Sequence, residues 1–127
     1  MSKPQREPSG FAARIDQYIA WSEAAGRAPS TLETSQGALN RFSIWCEERG
    51  IFRPSEITRA ILERYQRHLF HSLSERDEKP LSLSYQNTTL TAIKSFLRWL
   101  TRQNFVLYNP ASELELPRRP TRLPMSF

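Results

Sequence analysis

The sequence has 127 residues, enough for one domain with a buried core, and its 39% hydrophobic and 11% aromatic residues exclude a disordered chain. Its formal net charge of +5 is compatible with a polyanionic partner, while the single cysteine excludes an internal disulfide and a thiolate metal cluster. No apolar run reaches the roughly 18 residues that a membrane span needs, and no apolar segment follows the charged N-terminus as it does in a signal peptide. We therefore expect a cytoplasmic protein with no membrane partner.

Apolar residues recur at spacings of three and four along most of the sequence, and this period predicts an all-α four-helix bundle. The first helix is predicted over about residues 9–25. The second is predicted to have Ser30 at its N-cap, because Ser30 and Glu33 fit a capping box, and to end at Gly50. Cys46 lies at a core spacing on this helix, so we interpret it as a small core residue and not as a nucleophile.

Two further helices are predicted in the second half of the chain. Thr58 is expected to cap the third helix, on which His68 and His71 lie three apart without other metal ligands nearby. The fourth helix is predicted over residues 82–102, followed by a short helical turn at residues 111–114. The predicted apolar face of the fourth helix is formed by Leu90, Ile93, Phe96, Leu97 and Leu100.

The chain is expected to divide into three regions. Residues 1–8, which are rich in proline and charge, are predicted to be disordered. Residues 9–116 are predicted to form the helical domain. Residues 117–127 are rich in proline and arginine, a composition typical of a linker or tail.

The sequence shows no motif that indicates catalysis. It contains no glycine-rich phosphate loop, no G-x-S-x-G segment and no pair of carboxylates in apolar surroundings. We therefore expect a binding module that is not itself an enzyme, with no catalytic residue, no metal site, no cofactor and no small-molecule ligand.

The N-terminal halves of the second and fourth helices carry hydroxyl and amide side chains, and basic residues follow them along each helix. Such side chains contact the phosphates and base edges of duplex DNA, and an α-helix fits the major groove. With a basic tail beside them, the two helices are predicted to bind double-stranded DNA. The candidate DNA-binding residues are Ser30, Thr31, Thr34, Arg41, Ser84, Asn87, Thr88, Thr91, Lys94, Arg98, Arg118, Arg119 and Arg122.

A solvated surface explains the same side chains, so two other functions stay open. One is a helical protein-interaction module, in which the polar starts of the helices are only caps. The other is an autonomous DNA-binding regulator. The first alternative predicts no DNA affinity at low salt.

Four segments of the sequence together resemble a known family. Each segment alone is a weak signal, but their order and spacing are specific. They are Pro29-Ser30-Thr31-Leu32 leading to Leu39 and Phe42; Ile57-Thr58 leading to Ile61, Tyr65 and Leu69; Leu81-Ser82 leading to Leu90-Thr91-Ala92-Ile93-Lys94-Ser95-Phe96; and Asn109-Pro110-Ala111 leading to Pro117-Arg118 and Leu123-Pro124. Together they resemble the N-terminal core-binding (SAM-like) domain of the tyrosine recombinase, or phage integrase, family over about residues 9–124. Ser35 and Tyr85 depart from the family pattern, which often has an aromatic residue and a threonine there.

The resemblance implies an orthogonal four-helix bundle that forms one half of a C-shaped clamp on duplex DNA, with the second and fourth helices facing the duplex. It also implies that a catalytic domain, absent from this fragment, exchanges DNA strands through a tyrosyl-phosphate ester. Residues 117–127 are then the linker toward that domain, and the first helix is expected to contribute to self-association on DNA. The nucleophile is not expected among the tyrosines present, which are Tyr18, Tyr65, Tyr85 and Tyr108.

Overall fold

The computed structural model describes residues 10–72, 78–112 and 114, and within them the chain forms four α-helices and no β-strand. The helices are α1 (Phe11–Ala24), α2 (Pro29–Glu47), α3 (Arg59–His71) and α4 (Leu83–Arg102), with a 3₁₀ turn at Pro54–Glu56. The prediction of an all-α fold is confirmed. None of the described helices is both long enough and apolar enough to cross a membrane. The predicted disorder of residues 1–8 and the predicted linker at 117–127 lie outside the described residues.

The core is formed where α2 packs against α1 and α4, and α3 packs against α4 at the side of this core. The ring of Phe42 on α2 contacts Phe11 of α1 and Tyr65 of α3, with ring centroids 6.2 and 4.8 Å apart. Cys46 is fully buried, and this burial raises the pKa of its thiol to about 12. The thiol therefore stays protonated at neutral pH, and its interpretation as a core residue is confirmed.

The apolar face that was predicted on α4 is the part of this helix that enters the core. Its five residues, Leu90, Ile93, Phe96, Leu97 and Leu100, are all 0% exposed. Burial of a leucine or phenylalanine side chain contributes about 1.5–3 kcal/mol each relative to exposure. This anchoring fixes which side of α4 remains available at the surface.

The start of α2 differs from the prediction. Ala28 is the N-cap residue and Pro29 is the first helical residue, so Ser30 and Glu33 lie inside the helix and the predicted capping box is wrong. Proline is suited to the first helical position because its φ is already helical and its missing N–H has no acceptor there in any case. Ser30 is thereby left without a capping role, and its backbone carbonyl accepts a hydrogen bond from the Thr34 hydroxyl at 3.0 Å.

The start of α3 is capped as the sequence predicts, and the start of α4 is capped as well. The Thr58 hydroxyl accepts a hydrogen bond from the backbone N–H of Ile61 at 3.2 Å. The Ser82 hydroxyl accepts one from the N–H of Tyr85 at 3.0 Å. Each cap satisfies a backbone donor that has no partner within its own helix.

Replacing the α4 cap, Ser82→Ala, is expected to lower the free energy of unfolding by about 1 kcal/mol, because the N–H of Tyr85 loses its acceptor. Ser84→Ala is the matched control, since Ser84 is exposed and its hydroxyl caps no helix. Urea denaturation of both variants measures the difference. Equal stability of the two variants would show that the Ser82 cap does not stabilise α4.

The chain after α4 closes in a short turn, as predicted. The Asn109 side-chain oxygen accepts the N–H of Ala111 at 2.9 Å, and the N–H of Leu114 reaches the carbonyl of Ala111 at 3.1 Å. The buried side chain of Leu114 joins the core. Its carbonyl accepts a hydrogen bond of 3.1 Å from the Lys94 ammonium, which ties the turn to α4.

Candidate nucleic-acid interface

A groove of about 510 Å³ runs between the N-terminal parts of α2 and α4. We call it the α2–α4 groove. Tyr18 and Arg27 contribute to it from outside the two helices. Its other described lining residues are Ser30, Thr31, Thr34, Ser35, Ser84, Asn87, Thr88, Thr91, Ala92 and Ser95. The groove thus brings together seven of the predicted residues, namely Ser30, Thr31, Thr34, Ser84, Asn87, Thr88 and Thr91.

The groove exists because both helices present small side chains where they face each other. Serine, threonine and alanine dominate its lining, and none of them fills the space between two helix axes. The larger apolar residues of α4 are on the opposite side, where the core holds them. The helical period therefore places the small groove-lining side chains and the large apolar side chains on two different faces of α4.

The polar lining of α4 continues as a row along the whole helix. Ser84, Thr88, Thr91, Ser95, Arg98 and Arg102 alternate between spacings of four and three. Residues at these spacings lie on one face of an α-helix. At 1.5 Å per residue the row is roughly 27 Å long, with hydroxyl groups at its N-terminal end and guanidinium groups at its C-terminal end.

Positive charge flanks the groove, and no carboxylate is found among its described lining residues. Arg27 is part of the lining and donates a hydrogen bond to the hydroxyl of Tyr18 at 3.2 Å. Arg41 lies with its guanidinium carbon 5.6 Å from the ring centre of Tyr85, at the N-terminal end of α4. Such a surface favours an anionic partner.

Gly37 gives the Arg41 side chain space along α2. A Cβ atom added at Gly37 would lie 3.3 Å from Nη1 of Arg41, and apart from the neighbouring residues and backbone of α2 no other described atom lies within 4 Å of that position. No backbone of another described element therefore approaches Gly37 closely.

Asn87 has an unused hydrogen-bonding atom in the groove wall. Its side-chain oxygen is buried and has no hydrogen-bond partner among the described residues. An unpaired buried acceptor is destabilising by about 1–3 kcal/mol, so Asn87 lowers the stability of this wall.

The remaining predicted residues have separate positions. Lys94 is half-buried, lies outside the groove lining and donates to the backbone of Leu114, so its ammonium is already engaged. Arg98 lines a smaller cavity that adjoins the groove. The basic residues of the C-terminal tail, Arg118, Arg119 and Arg122, lie outside the described residues.

Six residues of the groove and the α4 row were not predicted, namely Tyr18, Arg27, Ser35, Ala92, Ser95 and Arg102. Ser95 and Arg102 could have been found by continuing the four-three spacing of the α4 row beyond Thr91. Arg27 follows Gly26 in the loop between α1 and α2, and no helical pattern in the sequence connects it to α4.

The histidines of α3 pack against aromatic rings. His68 stacks on Tyr65 with centroids 5.7 Å apart, and burial lowers the pKa of this histidine. His71 contacts the ring of Phe70 at 5.1 Å. Neither residue belongs to a group of three or more potential metal ligands within the part of the chain that the structure describes.

The arrangement of the helices defines the class of fold. The structure of the N-terminal domain of a phage integrase/site-specific recombinase from Haloarcula marismortui matches it with a TM-score of 0.72. The match covers 88% of this chain and all of that domain, at 22% sequence identity. The fold is therefore the all-α fold of an integrase N-terminal domain.

A sequence relative makes the assignment more specific. The chain is 48% identical over 102 residues to tyrosine recombinase XerC 2 of Ralstonia nicotianae. This match covers 80% of the chain and 29% of the length of that recombinase. No protein-family model matches the sequence. The predicted resemblance to the N-terminal core-binding domain of the tyrosine recombinase or phage integrase family is confirmed by the relative and the structural match together.

Proposed function

We propose that this chain binds duplex DNA through the α2–α4 groove, as the N-terminal part of a site-specific recombinase. The observation that carries the proposal is the groove itself. It assembles hydroxyl and amide side chains of two helices beside arginines, and no carboxylate interrupts it among the described residues. Relationship to a tyrosine recombinase supports DNA as the anionic partner.

The groove offers two kinds of contact to a duplex. Arg27 and Arg41, at its margins, supply charge for the phosphate backbone, and such contacts set position and orientation without reading sequence. Asn87 and Thr88, on α4, are short side chains of the types that reach base edges or phosphates. A major groove about 12 Å wide admits one helix, and α4 is the helix whose polar row faces away from the core.

The whole protein is proposed to cut and rejoin DNA through a tyrosine outside this chain. In this proposal the chain clamps the duplex, and a separate catalytic domain carries out strand exchange. Self-association on DNA through α1 is part of the same proposal. If the reading frame continues from this sequence into an Arg…H-x-x-R…Tyr pattern, the whole protein is supported as a recombinase. If the gene lacks that pattern, an autonomous DNA-binding regulator is favoured.

Titration of a labelled duplex at several salt concentrations tests DNA binding directly. We expect a dissociation constant of about 10⁻⁴ to 10⁻⁶ M near physiological salt. The logarithm of the affinity is expected to fall linearly with the logarithm of salt concentration, by roughly 0.9 for each phosphate contacted. Fluorescence anisotropy measures both quantities.

Two results would count against this proposal. Affinity that does not change between about 50 and 200 mM salt would remove the electrostatic contribution expected of phosphate contacts. No measurable binding at low salt would favour the helical protein-interaction module instead.

A further inference from the structure

A small cavity of about 30 Å³ adjoins the α2–α4 groove toward the C-terminal end of α4. We call it the arginine niche. It shares Tyr18, Arg27 and Ser95 with the groove, so the two spaces are continuous along α4. Its described lining residues are Tyr18, Trp21, Arg27, Ser95, Arg98, Trp99 and Arg102.

The size of the niche limits what can enter it. The niche, at about 30 Å³, is far smaller than the groove beside it, at about 510 Å³. It therefore suits a small group such as one tetrahedral anion.

The charge around the niche is positive. Three of its described lining residues are arginines, Arg27, Arg98 and Arg102, and none is a carboxylate. Arg98 and Arg102 are exposed and form no ion pair with any described residue. An anion that binds beside guanidinium groups is stabilised by charge-assisted hydrogen bonds.

One of these arginines is held in place by its neighbours. The guanidinium of Arg27 donates to the Tyr18 hydroxyl at 3.2 Å, and it lies 5.7 Å from the ring centre of Trp21. Trp21 in turn stacks on Tyr18 with centroids 6.1 Å apart. Arg27 therefore loses less side-chain freedom when it binds a ligand than a freely moving arginine does.

Trp99 forms part of the wall of the niche and serves as a local spectroscopic reporter. It is only 6% exposed, and its indole N–H forms no hydrogen bond with any described residue.

We propose that the arginine niche is a phosphate-binding subsite, which takes one phosphate group. Arg98 and Arg102 supply the charge, and Arg27 is the preplaced donor. The source of the phosphate is the backbone of duplex DNA, and this part rests on the proposed function. One phosphate fixed at the end of α4 sets the register of the α4 row along the duplex.

Titration with inorganic phosphate tests the niche without DNA. Phosphate replaces chloride at constant pH and ionic strength, and two-dimensional ¹H–¹⁵N spectra follow the indole N–H signals. We expect the Trp99 signal to shift and to saturate. Trp45 is the internal control, because its indole N–H is also buried and unpaired but lies outside the niche. No saturable shift at Trp99, or an equal shift at Trp45, would overturn the subsite.

A pair of variants then connects the niche to DNA. Arg98→Ala is expected to abolish the saturable Trp99 shift and to weaken duplex binding roughly three- to tenfold, as for the loss of one charge-assisted contact. Arg64→Ala removes the same charge from an exposed position on α3, outside groove and niche, and is expected to change duplex affinity less than twofold. Circular dichroism confirms that both variants are folded.

The outcomes separate the niche from the proposed function. Saturable phosphate binding without any duplex binding would leave the niche as a site for a free phosphate group and would overturn its DNA source. Duplex binding that Arg98→Ala does not weaken more than Arg64→Ala would overturn the niche and leave DNA binding by the groove standing.

Discussion

Phe42→Ala is expected to lower the free energy of unfolding by about 3–5 kcal/mol, which is a large part of the roughly 5–15 kcal/mol that stabilises a domain. Phe42 is fully buried, and its ring contacts aromatic rings from α1 and α3 and that of Trp45 on its own helix. Truncation removes contacts with two other helices and with Trp45 of α2, and it leaves a cavity that these rings cannot refill. Urea denaturation followed by near-ultraviolet circular dichroism measures the loss.

The control for this variant is on the same helix. Ile44 is 55% exposed, so Ile44→Ala is expected to change stability by less than about 1 kcal/mol. If Phe42→Ala were no more destabilising than Ile44→Ala, the aromatic cluster would not be the centre of the core. A decrease of stability in Phe42→Ala without a change in the slope against urea indicates that the unfolded state is unaltered.

The helices and the core could be predicted from the sequence because the hydrophobic period is local information. Leu90 and Leu97, seven residues apart, belong to one face whatever the helix packs against, and both are fully buried. The caps at Thr58 and Ser82 are also local, since each hydroxyl bonds a backbone group three residues later. At the start of α2 the sequence fits two local patterns. The helix adopts the one with Pro29 at the first helical position and does not form the capping box at Ser30.

The groove was predicted only in part because it depends on contacts between elements. The hydroxyl-rich face of α4 was visible in the sequence, and the structure places Thr88 and Thr91 beside Thr31 of α2 in one groove. The place of Arg27 depends on how the α1–α2 loop meets α4, and the engagement of Lys94 depends on where Leu114 returns. Contact of any of these residues with DNA stays a prediction.

Thr34→Glu is expected to weaken duplex binding at about 50 mM salt at least tenfold. Thr34 is an exposed residue that lines the groove from α2, so the substitution places a carboxylate among hydroxyl groups where we propose that DNA phosphates approach. Two unit charges about 6 Å apart interact by roughly 3 kcal/mol at an effective dielectric constant of 20, and salt reduces this value. The repulsion is therefore expected to shrink as salt rises.

Gln36→Glu separates this local effect from the change in net charge. Gln36 is also exposed on α2, two residues away, but lies outside the groove lining. Both variants lower the net charge by one, and glutamate has at least as high a helix propensity as the residue it replaces. We therefore expect the two variants to have equal thermal stability by circular dichroism. Fluorescence anisotropy is expected to show a loss of affinity for Thr34→Glu alone. Equal weakening by both variants would mean that only overall charge attracts the DNA, and the α2–α4 groove would then not be its binding surface.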